Sequence, residues 1–568
     1  MLISKTKLKI VLVGIIFLVT PVFVLADSLG QTTKFFVDST YDFQAREQVP
    51  TTLQNISKKG YFYLEDDWYK NLTEGEKEKI NQSLEILSQE FDNVIYPKLT
   101  SIYGEEWRPG IDLNYTITIL FHKMKEKAAG YFRSEDEYYK LQSPNSNERE
   151  MIYLNADYLD EEIIKSFIAH EFTHLITFNQ KERLQQVEEE VWLNEARAEL
   201  APTLLGYDGQ YQRSNLQQRV KYFIDSPSDS LTEWQSQTQD YGVVNVFIQY
   251  LVDHYGIEIL TNSLKSSKVG IPSINEALEN RGFSQDFSQI FRDWAIAVYL
   301  ENCQFGEKYC YKNENLKNLK ISPSLIYLPS TEKTEFSLNY SITQWSGNWY
   351  RIVGGEGKLN INFIGDKRVN FKIPYIICKD SLECQINSFV LDKEQKGQIS
   401  FDNFGKKWTS LTLIPVIQDK ISGFEGKEPN FSFSLSASIS QKTSEEKLIE
   451  ELLTQIQYLK NEIARVQAQI QAIIGTRPIS CQRLENNLYY GMMGNPDVRC
   501  LQEFLKAQGP EIYPEGLVTG NFLSLTQAAA IRFQEKYANE ILRPLGLERG
   551  TGFVGEMTRA KINELLIK

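Results

Sequence analysis

Hydrophobic and polar positions follow different periods in different parts of this chain, and each period predicts a different element. Apolar residues at positions 163, 164, 167, 168, 172, 175 and 176 recur every three or four residues, which is typical of a largely buried helix. Between residues 320 and 440, apolar and polar residues alternate in short runs such as 358–364 and 369–377, with glycine-rich breaks between them. This second pattern predicts an antiparallel β-sandwich.

A seven-residue period follows the predicted sandwich, from residue 445 to residue 474. It consists of two alternating series: Ile449, Ile456, Ile463 and Ile470, with Leu452, Leu459, Val466 and Ile473. This spacing predicts a coiled-coil seam about 40 Å long, and Ile in one series with Leu in the other favours a parallel homodimer. The alternative is a single helix that packs against its neighbours.

The first 26 residues have the pattern of a secretory signal peptide. Lysines at positions 5, 7 and 9 precede an apolar run from 10 to 24, and the small residue Ala26 follows. The run is short for a spanning helix and Pro21 interrupts it, so we expect cleavage after Ala26 rather than anchoring. The chain is therefore expected to be extracytoplasmic, either secreted or associated with the cell wall.

Composition and cysteine spacing agree with an exported protein of several domains. The 568 residues are enough for several hydrophobic cores, and a net charge of −13 disfavours binding to nucleic acid or anionic membranes. The six cysteines fall into three local pairs: Cys303 with Cys310, Cys378 with Cys384, and Cys481 with Cys500. Such pairs are typical of disulfides formed in an oxidising compartment.

The clearest chemical signal is the pentapeptide His-Glu-Phe-Thr-His at residues 170–174, which contains two of the four histidines in the chain. Residues four apart lie on the same face of a helix, so His170 and His174 can direct both imidazoles at one point. The spacing predicts a Zn²⁺ site in which both histidines are ligands and Glu171 is the general base. The alternative is two core histidines beside a coincidental glutamate, which would leave a charged Glu171 on an otherwise apolar helix.

A catalytic zinc site needs a third protein ligand and one open position for water. Residues 191–201 offer Glu195 and Glu199, one helical turn apart, and from spacing alone either could be the ligand. The segment Trp192-Leu193-Asn194-Glu195, about twenty residues after the histidine motif, resembles the gluzincin metallopeptidases. That resemblance implies that Glu195 is the third zinc ligand and that Glu199 orients His170 from behind the metal. The neighbouring glutamates at 188–190 are expected to form a solvated acidic turn.

The oxyanion that develops during peptide hydrolysis needs a hydrogen-bond donor. Gluzincins commonly supply it from a downstream helix, and residues 240–256 resemble that helix, so Tyr241 is the candidate donor. The alternative is a tyrosine that only packs. For His254, near the end of the same segment, an interaction with the helix C-terminus is at least as good an explanation as a catalytic role. His122 is expected to be structural.

Residues 115–121 and 150–155 have strand-like patterns and precede the histidine motif. In gluzincins an edge strand beside the metal binds an extended peptide through its main chain, a form of strand addition. Gly130, Tyr131 and Phe132 are the candidate for this strand, because Gly130 permits close backbone approach. An ordinary turn is the equal alternative.

After Gly475 and Pro478 the sequence resembles the peptidoglycan-binding type 1 module, a compact three-helix fold. The resemblance is carried by residues 497–505, 519–522 and 526–534, and residues 555–558 repeat a Gly-x-x-Thr turn. Leu523 replaces the usual second glycine, and residues 535–550 are an insertion. The resemblance implies peptidoglycan as a partner; a helical cap without affinity for the wall is the alternative.

These patterns together predict a multidomain chain. Its parts are a signal peptide (1–26), an α+β gluzincin-like catalytic domain with a mostly helical C-terminal half (27–302), an antiparallel β-sandwich (320–440), a coiled-coil helix (445–474) and a small three-helix domain (478–568). The leading hypothesis is an exported endopeptidase with one catalytic Zn²⁺ that cleaves proteins or peptides at the bacterial cell wall. A peptidoglycan stem-peptide hydrolase with the same zinc site and a non-catalytic envelope-binding protein are the alternatives. Glu171 argues against the last, because a structural zinc needs no general base.

Overall fold

The computed structural model of this chain describes residues 26–329, 333–424, 426–440, 444–474 and 481–567. Residues 1–442 and residues 443–568 belong to two separate compact units. The predicted signal segment lies outside the described residues as far as residue 25. No helix in the described ranges is both long enough and apolar enough to cross a bilayer.

The first unit begins with a mixed six-stranded sheet. Its strands are β1 (Thr32–Phe36), β2 (Gln48–Ile56), β3 (Gly60–Glu65), β4 (Ile117–His122), β5 (Gly130–Phe132) and β6 (Met151–Asn155). They are ordered β1-β2-β3-β4-β6-β5, with parallel pairing of β3 to β4 and of β4 to β6 and antiparallel pairing elsewhere. The short strand β5 therefore forms one edge of the described sheet.

Ten helices follow or interrupt this sheet, and most come after it, as the sequence predicts. They are α1 (Asp66–Lys70), α2 (Glu74–Glu90), α3 (Tyr96–Tyr103), α4 (Ile164–Thr177), α5 (Val191–Leu205), α6 (Asn215–Asp225), α7 (Thr238–Tyr255), α8 (Glu258–Leu264), α9 (Gly270–Asn280) and α10 (Phe287–Leu300). One sheet face packs against helices, where Phe172 of α4 lies between Phe91 and Tyr96 at ring distances of 5.3 and 5.5 Å. The opposite face has its own smaller core, which includes Tyr131 and Tyr153.

The β-rich region contains two packed sheets. The strands are β7 (Ser324–Leu328), β8 (Lys333–Ile342), β9 (Tyr350–Gly354), β10 (Gly357–Gly365), β11 (Phe371–Cys378), β12 (Cys384–Phe389), β13 (Lys396–Phe404), β14 (Ser410–Leu413), β15 (Val416–Ile417) and β16 (Phe431–Ser440). One sheet has the order β13-β10-β16-β8, and the other β12-β11-β14-β9-β7 with β15 beside β11. The expected antiparallel pairing is found in these ladders except between β7 and β9, which are parallel.

The two sheets enclose a hydrophobic core of their own, and other residues of the sandwich join the core of the helical region. Trp345 is fully buried and its ring packs against Phe287 and Phe291 of α10, at 5.2 and 5.4 Å. Trp349 donates a hydrogen bond from its indole N–H to the Ala295 carbonyl at 2.7 Å. The boundary predicted between residues 302 and 320 therefore does not separate two independent bodies, because the sandwich packs directly against α10.

The second unit contains α11 (Ser444–Ile474), α12 (Pro496–Ala507), α13 (Ser524–Lys536), α14 (Ala538–Ile541) and α15 (Glu556–Leu566). The helix predicted at 445–474 is confirmed as α11, and six of its heptad residues, from Ile449 to Val466, are each 45–56% exposed. In the C-terminal part, Gln502 and Gln534 make equivalent bonds: each accepts from a glycine N–H, of Gly520 and Gly552, and donates to a threonine hydroxyl. Gly552 and Thr558 thus repeat the positions of Gly520 and Thr526, which makes the two segments an internal repeat.

The three predicted disulfides are all present: Cys303–Cys310, Cys378–Cys384 and Cys481–Cys500. The first closes a loop directly after α10, and the second joins the ends of the neighbouring strands β11 and β12.

Candidate metal centre

Helix α4 carries three of the candidate site residues on consecutive turns. Its sequence from Ile164 to Thr177 is apolar enough for eleven of the fourteen residues to be buried, so the helix lies inside the unit. His170, Glu171 and His174 are on the side that faces α5, and the two imidazole Nε2 atoms are 3.1 Å apart. The four-residue spacing has thus brought the two rings together as helix geometry requires.

Helix α5 supplies the third group. Glu195 Oε2 lies 3.3 Å from His170 Nε2 and 3.7 Å from His174 Nε2. Among the described residues this is the one cluster of three or more histidine, cysteine, aspartate or glutamate side chains with metal-binding spacing. Ligands bound tetrahedrally about 2.1 Å from zinc would lie about 3.4 Å from one another, close to these separations. Glu195 Oε2 is buried without a hydrogen-bond partner, as an atom reserved for a cation would be.

A second layer of contacts fixes both imidazoles. His170 Nδ1 lies 3.4 Å from Glu199 Oε1, and His174 Nδ1 donates to Asn194 Oδ1 at 3.2 Å. With Nδ1 engaged in this way, each ring presents Nε2 to the metal position. The structure therefore puts Glu199 beside the first histidine and Glu195 beside both Nε2 atoms, the arrangement that the resemblance implied and spacing left open.

Arg219 of α6 completes this layer, and no sequence pattern indicated it. Its guanidinium binds both oxygens of Glu199 at 2.7 Å, which holds that buried carboxylate in its charged form. Burial alone would raise the pKa of Glu199, but the charge of Arg219 and the bond to His170 bring it well below its usual range. The guanidinium also lies 4.9 Å from the centre of the Tyr241 ring. Arg219 thus links the carboxylate behind His170 to the proposed oxyanion donor.

The electrostatic field of the pocket favours a cation. Burial lowers the pKa of His170, yet contacts with Glu195 and Glu199 outweigh burial and raise it to about 10. Burial raises the pKa of Glu195, but the two imidazoles bring it down to about 2. Three carboxylates around two imidazoles leave a negative balance that a divalent metal would neutralise. The residues present therefore fit a zinc ion.

Glu171 lies beside this cluster with a different environment. The side chain is 5% exposed, and burial raises the pKa of its carboxyl group above the usual value. A carboxylate in that environment is a stronger base than one in water, as general-base chemistry requires. Strand β5 covers it: a Cβ placed on Gly130 would lie 3.0 Å from Glu171 Oε1.

The candidate strand Gly130-Tyr131-Phe132 forms β5. Gly130 faces Glu171, while Tyr131 points to the opposite face of the sheet and Phe132 contacts Phe178 at a ring distance of 6.0 Å. β5 has a ladder partner on one side, β6, and no described strand on the other. The main chain of this edge therefore lies beside Glu171 without a described ladder partner.

Tyr241 lies in the first turn of α7, packed against Trp234 at a ring distance of 4.9 Å. The charge of Glu195 and burial raise the pKa of Tyr241, so its phenol keeps its proton and can donate a hydrogen bond. The other histidines lie away from the cluster. His254 bonds the Cys310 carbonyl at 2.9 Å, and His122 is buried between Asp42 and Tyr131.

The prediction of a solvated acidic turn at 188–190 is wrong for Glu189 and Glu190, while Glu188 is exposed as expected. Glu189 is 7% exposed and pairs with Arg197 at 2.8 Å and with Lys181 at 3.6 Å. Glu190 accepts hydrogen bonds from the Trp192 indole and from the Gly423 main chain. Burial is tolerated because both carboxylates have partners, and two of these, the main-chain N–H groups of Gly270 and Gly423, are distant in sequence.

Part of this chain is similar to a known metalloprotease. No protein-family model matches the sequence. The neutral metalloprotease ShpI of Staphylococcus hyicus is 29% identical over 189 residues, which cover 29% of this chain and 41% of that protein. The match thus spans less than half of that relative.

Two solved structures are similar in part, at TM-scores too low to bear on the fold. The pre-peptidase C-terminal domain of a Bacillus anthracis collagenase is 11% identical with a TM-score of 0.15, covering 20% of this chain and 96% of that chain. The M60 catalytic domain with CBM51 domains from Clostridium perfringens ZmpB is 9% identical with a TM-score of 0.20, covering 68% of this chain and 59% of that chain.

Proposed function

We propose that this chain is an exported zinc-dependent endopeptidase of the gluzincin type, associated with the bacterial cell wall. The observation that carries the proposal is the convergence of His170, His174 and Glu195 on one point, with the unpartnered Glu195 oxygen directed at it and Glu171 alongside. The similarity of part of the chain to a neutral metalloprotease supports the same reaction.

In this proposal His170, His174 and Glu195 hold a single Zn²⁺. Bound zinc would lower the pKa of a water molecule and polarise the scissile carbonyl. Glu171 accepts the proton of the attacking water and passes it to the leaving amine, for which its raised pKa suits it. Glu199 and Asn194 keep both imidazoles in the ligating orientation, and the Tyr241 phenol donates to the developing oxyanion.

The substrate is proposed to be an extended peptide that adds to the free edge of β5. Main-chain hydrogen bonds to this edge would align the peptide, and the missing side chain at Gly130 lets it approach Glu171. A peptidoglycan stem peptide is the second candidate, supported by the resemblance of residues 478–568 to a peptidoglycan-binding module. The three disulfides support an extracytoplasmic location.

The test compares zinc-loaded wild type with Glu171→Gln, a change that keeps the size of the side chain and removes the base. We expect wild type to digest unfolded casein, and the variant to retain its zinc, measured by elemental analysis, while losing most activity. Glu188→Gln is the matched control, because Glu188 is an exposed glutamate between α4 and α5, and this variant should behave as wild type. Equal cleavage by wild type and Glu171→Gln would refute the proposal.

Purified sacculi replace casein in a parallel assay. Release of peptide fragments from sacculi, with casein untouched, would favour the stem-peptide hydrolase. Sedimentation of the chain with sacculi, measured with Glu171→Gln so that nothing is cleaved, tests wall binding by itself.

A homodimer through α11 is proposed on its exposed heptad residues. Light scattering of the full chain should give twice the monomer mass, and the double substitution Ile456→Glu and Ile463→Glu should return the monomer. Gln457→Glu, on the same helix but outside the heptad series, is the control. A monomeric wild type would refute the dimer and leave the zinc proposal untouched.

A further inference from the structure

Three tyrosine rings are stacked across the substrate edge of the sheet. Tyr153 of β6 and Tyr131 of β5 are direct cross-strand partners, with ring centres 4.4 Å apart and planes 11° from parallel. The ring of Tyr41 stacks on Tyr131 at 4.7 Å and 28°. Two rings cannot stack on the same face of Tyr131, so Tyr41 lies on the outward side, beyond the edge of β5.

The spacing of these rings is the spacing of strands. Neighbouring strands in a sheet lie about 4.8 Å apart, and cross-strand side chains on one face have Cβ atoms about 5 Å apart. A peptide strand added to β5 would therefore place one of its side chains next to Tyr131, on the outward side. The Tyr41 ring already fills that volume.

Tyr41 belongs to a segment that is firmly attached. Its carbonyl accepts a hydrogen bond from the Lys125 N–H at 2.8 Å. The next residue, Asp42, is fully buried and binds the Arg46 guanidinium through both of its carboxylate oxygens. Tyr131 is also held, because its hydroxyl lies 3.1 Å from His122 Nε2 and accepts from a main-chain N–H at 3.0 Å. The stacked rings of Tyr41 and Tyr131 are therefore held in a fixed position.

The outer part of the Tyr41 side chain is open to solvent, with 38% of the residue exposed. Tyr131, on which it stacks, directly follows Gly130 in β5, and a Cβ at Gly130 would lie 3.0 Å from Glu171 Oε1. The stack therefore stands one residue along the strand from the proposed general base.

We propose that Tyr41 is a specificity-determining residue that admits only a small side chain, such as glycine, alanine or serine, at the substrate position opposite Tyr131. The inference rests on the proposed function, since it requires a peptide to add to β5. A substrate side chain longer than one carbon at this position would overlap the Tyr41 ring. It could bind only if that ring left its stack on Tyr131, so bulky residues are selected against.

The experiment measures cleavage of a peptide library, randomised one position at a time around the scissile bond, by mass spectrometry. Wild type should show one position, close to the cleaved bond, at which small residues are preferred by about tenfold or more over leucine and phenylalanine. Tyr41→Ala should abolish that preference at that position alone. Tyr41→Phe, which keeps the ring and loses the hydroxyl, should keep the wild-type profile.

Tyr139→Ala is the control, because Tyr139 is an exposed tyrosine in a neighbouring loop and should leave the profile unchanged. If Tyr41→Ala does not fold, Tyr41→Leu tests the same point, since leucine fills less of the position than a ring does. A Tyr41→Ala profile identical to that of wild type, or a wild type that prefers bulky residues at every position, would overturn the inference and leave the peptidase intact. A wild type that cleaves no peptide would overturn the proposed function itself.

Discussion

Gly130→Ala is the substitution whose effect follows most directly from the geometry of the site. A Cβ at this position would lie 2.7 Å from the Tyr153 carbonyl oxygen and 3.0 Å from Glu171 Cγ and Oε1. Both contacts must lengthen, by 0.7 and 0.4 Å, to reach the ordinary separation of 3.4 Å. The Tyr153 carbonyl belongs to the main chain of β6, which is paired on both sides in a buried ladder, so this oxygen cannot move away. The displacement therefore falls on β5 and on the Glu171 side chain.

The size of the effect follows from what is displaced. Overpacking of this kind typically costs about 1–3 kcal/mol of stability, which leaves the chain folded. Moving Glu171, the proposed general base, by several tenths of an ångström is more serious for catalysis, since a misplacement of about 1 Å can cost a hundredfold in rate. We expect kcat/KM to fall by about tenfold to a hundredfold, and kcat to carry most of the loss.

The assay is steady-state hydrolysis of a fluorogenic peptide by zinc-loaded protein, with zinc content and thermal unfolding measured on the same samples. Gly75→Ala is the matched control, because a Cβ at Gly75 would meet no atom within 4 Å. Wild-type kcat in a folded Gly130→Ala variant would refute the reasoning, and so would an equal loss in Gly75→Ala.

Three further predictions concern buried carboxylates. Glu199→Ala should weaken zinc affinity by about tenfold to a hundredfold, measured by chelator competition, because His170 loses its orienting partner. Burial, and to a lesser extent the charge of Asp112, raise the pKa of Glu150 above its usual value of 4.5. The folded chain therefore holds a proton that the unfolded chain has released, so the free energy of unfolding should fall as the pH rises above 4.5, and Glu150→Gln should flatten that fall in pH-dependent urea titrations. Glu189→Gln should destabilise the chain by about 3–5 kcal/mol in urea, because Arg197 and Lys181 stay buried without their anion, whereas exposed Glu188→Gln should cost nothing measurable.

Features set by neighbours in sequence could be predicted, since the necessary information is local. His170 and His174 meet because four residues make one helical turn, and each disulfide joins cysteines separated by 6, 7 or 19 positions. The 31-residue helix α11 follows from its heptad spacing in the same way. The sandwich was predictable as alternating strands, but the parallel pairing of β7 with β9 depends on how the chain crosses between sheets, which alternation does not encode.

Features that depend on distant partners could not be predicted. Glu189 lies in a segment with the composition of a surface turn, and only the folded chain brings the Gly270 main-chain N–H, 81 residues away, to its carboxylate. Arg219 is one of two basic residues on the amphipathic helix α6, and its role depends on α6 lying against Glu199. Tyr41 precedes the histidine motif by more than a hundred residues and belongs to no pattern, so its stacking on Tyr131 is found only in the folded chain.

The contact between Glu190 and the sandwich determines how this protein can be divided. One carboxylate oxygen of Glu190 holds the Trp192 indole at the start of α5, and the other holds the main chain of Gly423, more than two hundred residues later. A fragment truncated after α10 would keep all three proposed zinc ligands in its sequence. It would nevertheless lose the hydrogen bond from Gly423 to Glu190 at the start of α5, the helix that carries Glu195. It would also expose the aromatic surface that Trp345 covers. For recombinant work or transplantation to another scaffold, the smallest portable module therefore extends through β16, and replacing the sandwich would mean redesigning the entrance to α5.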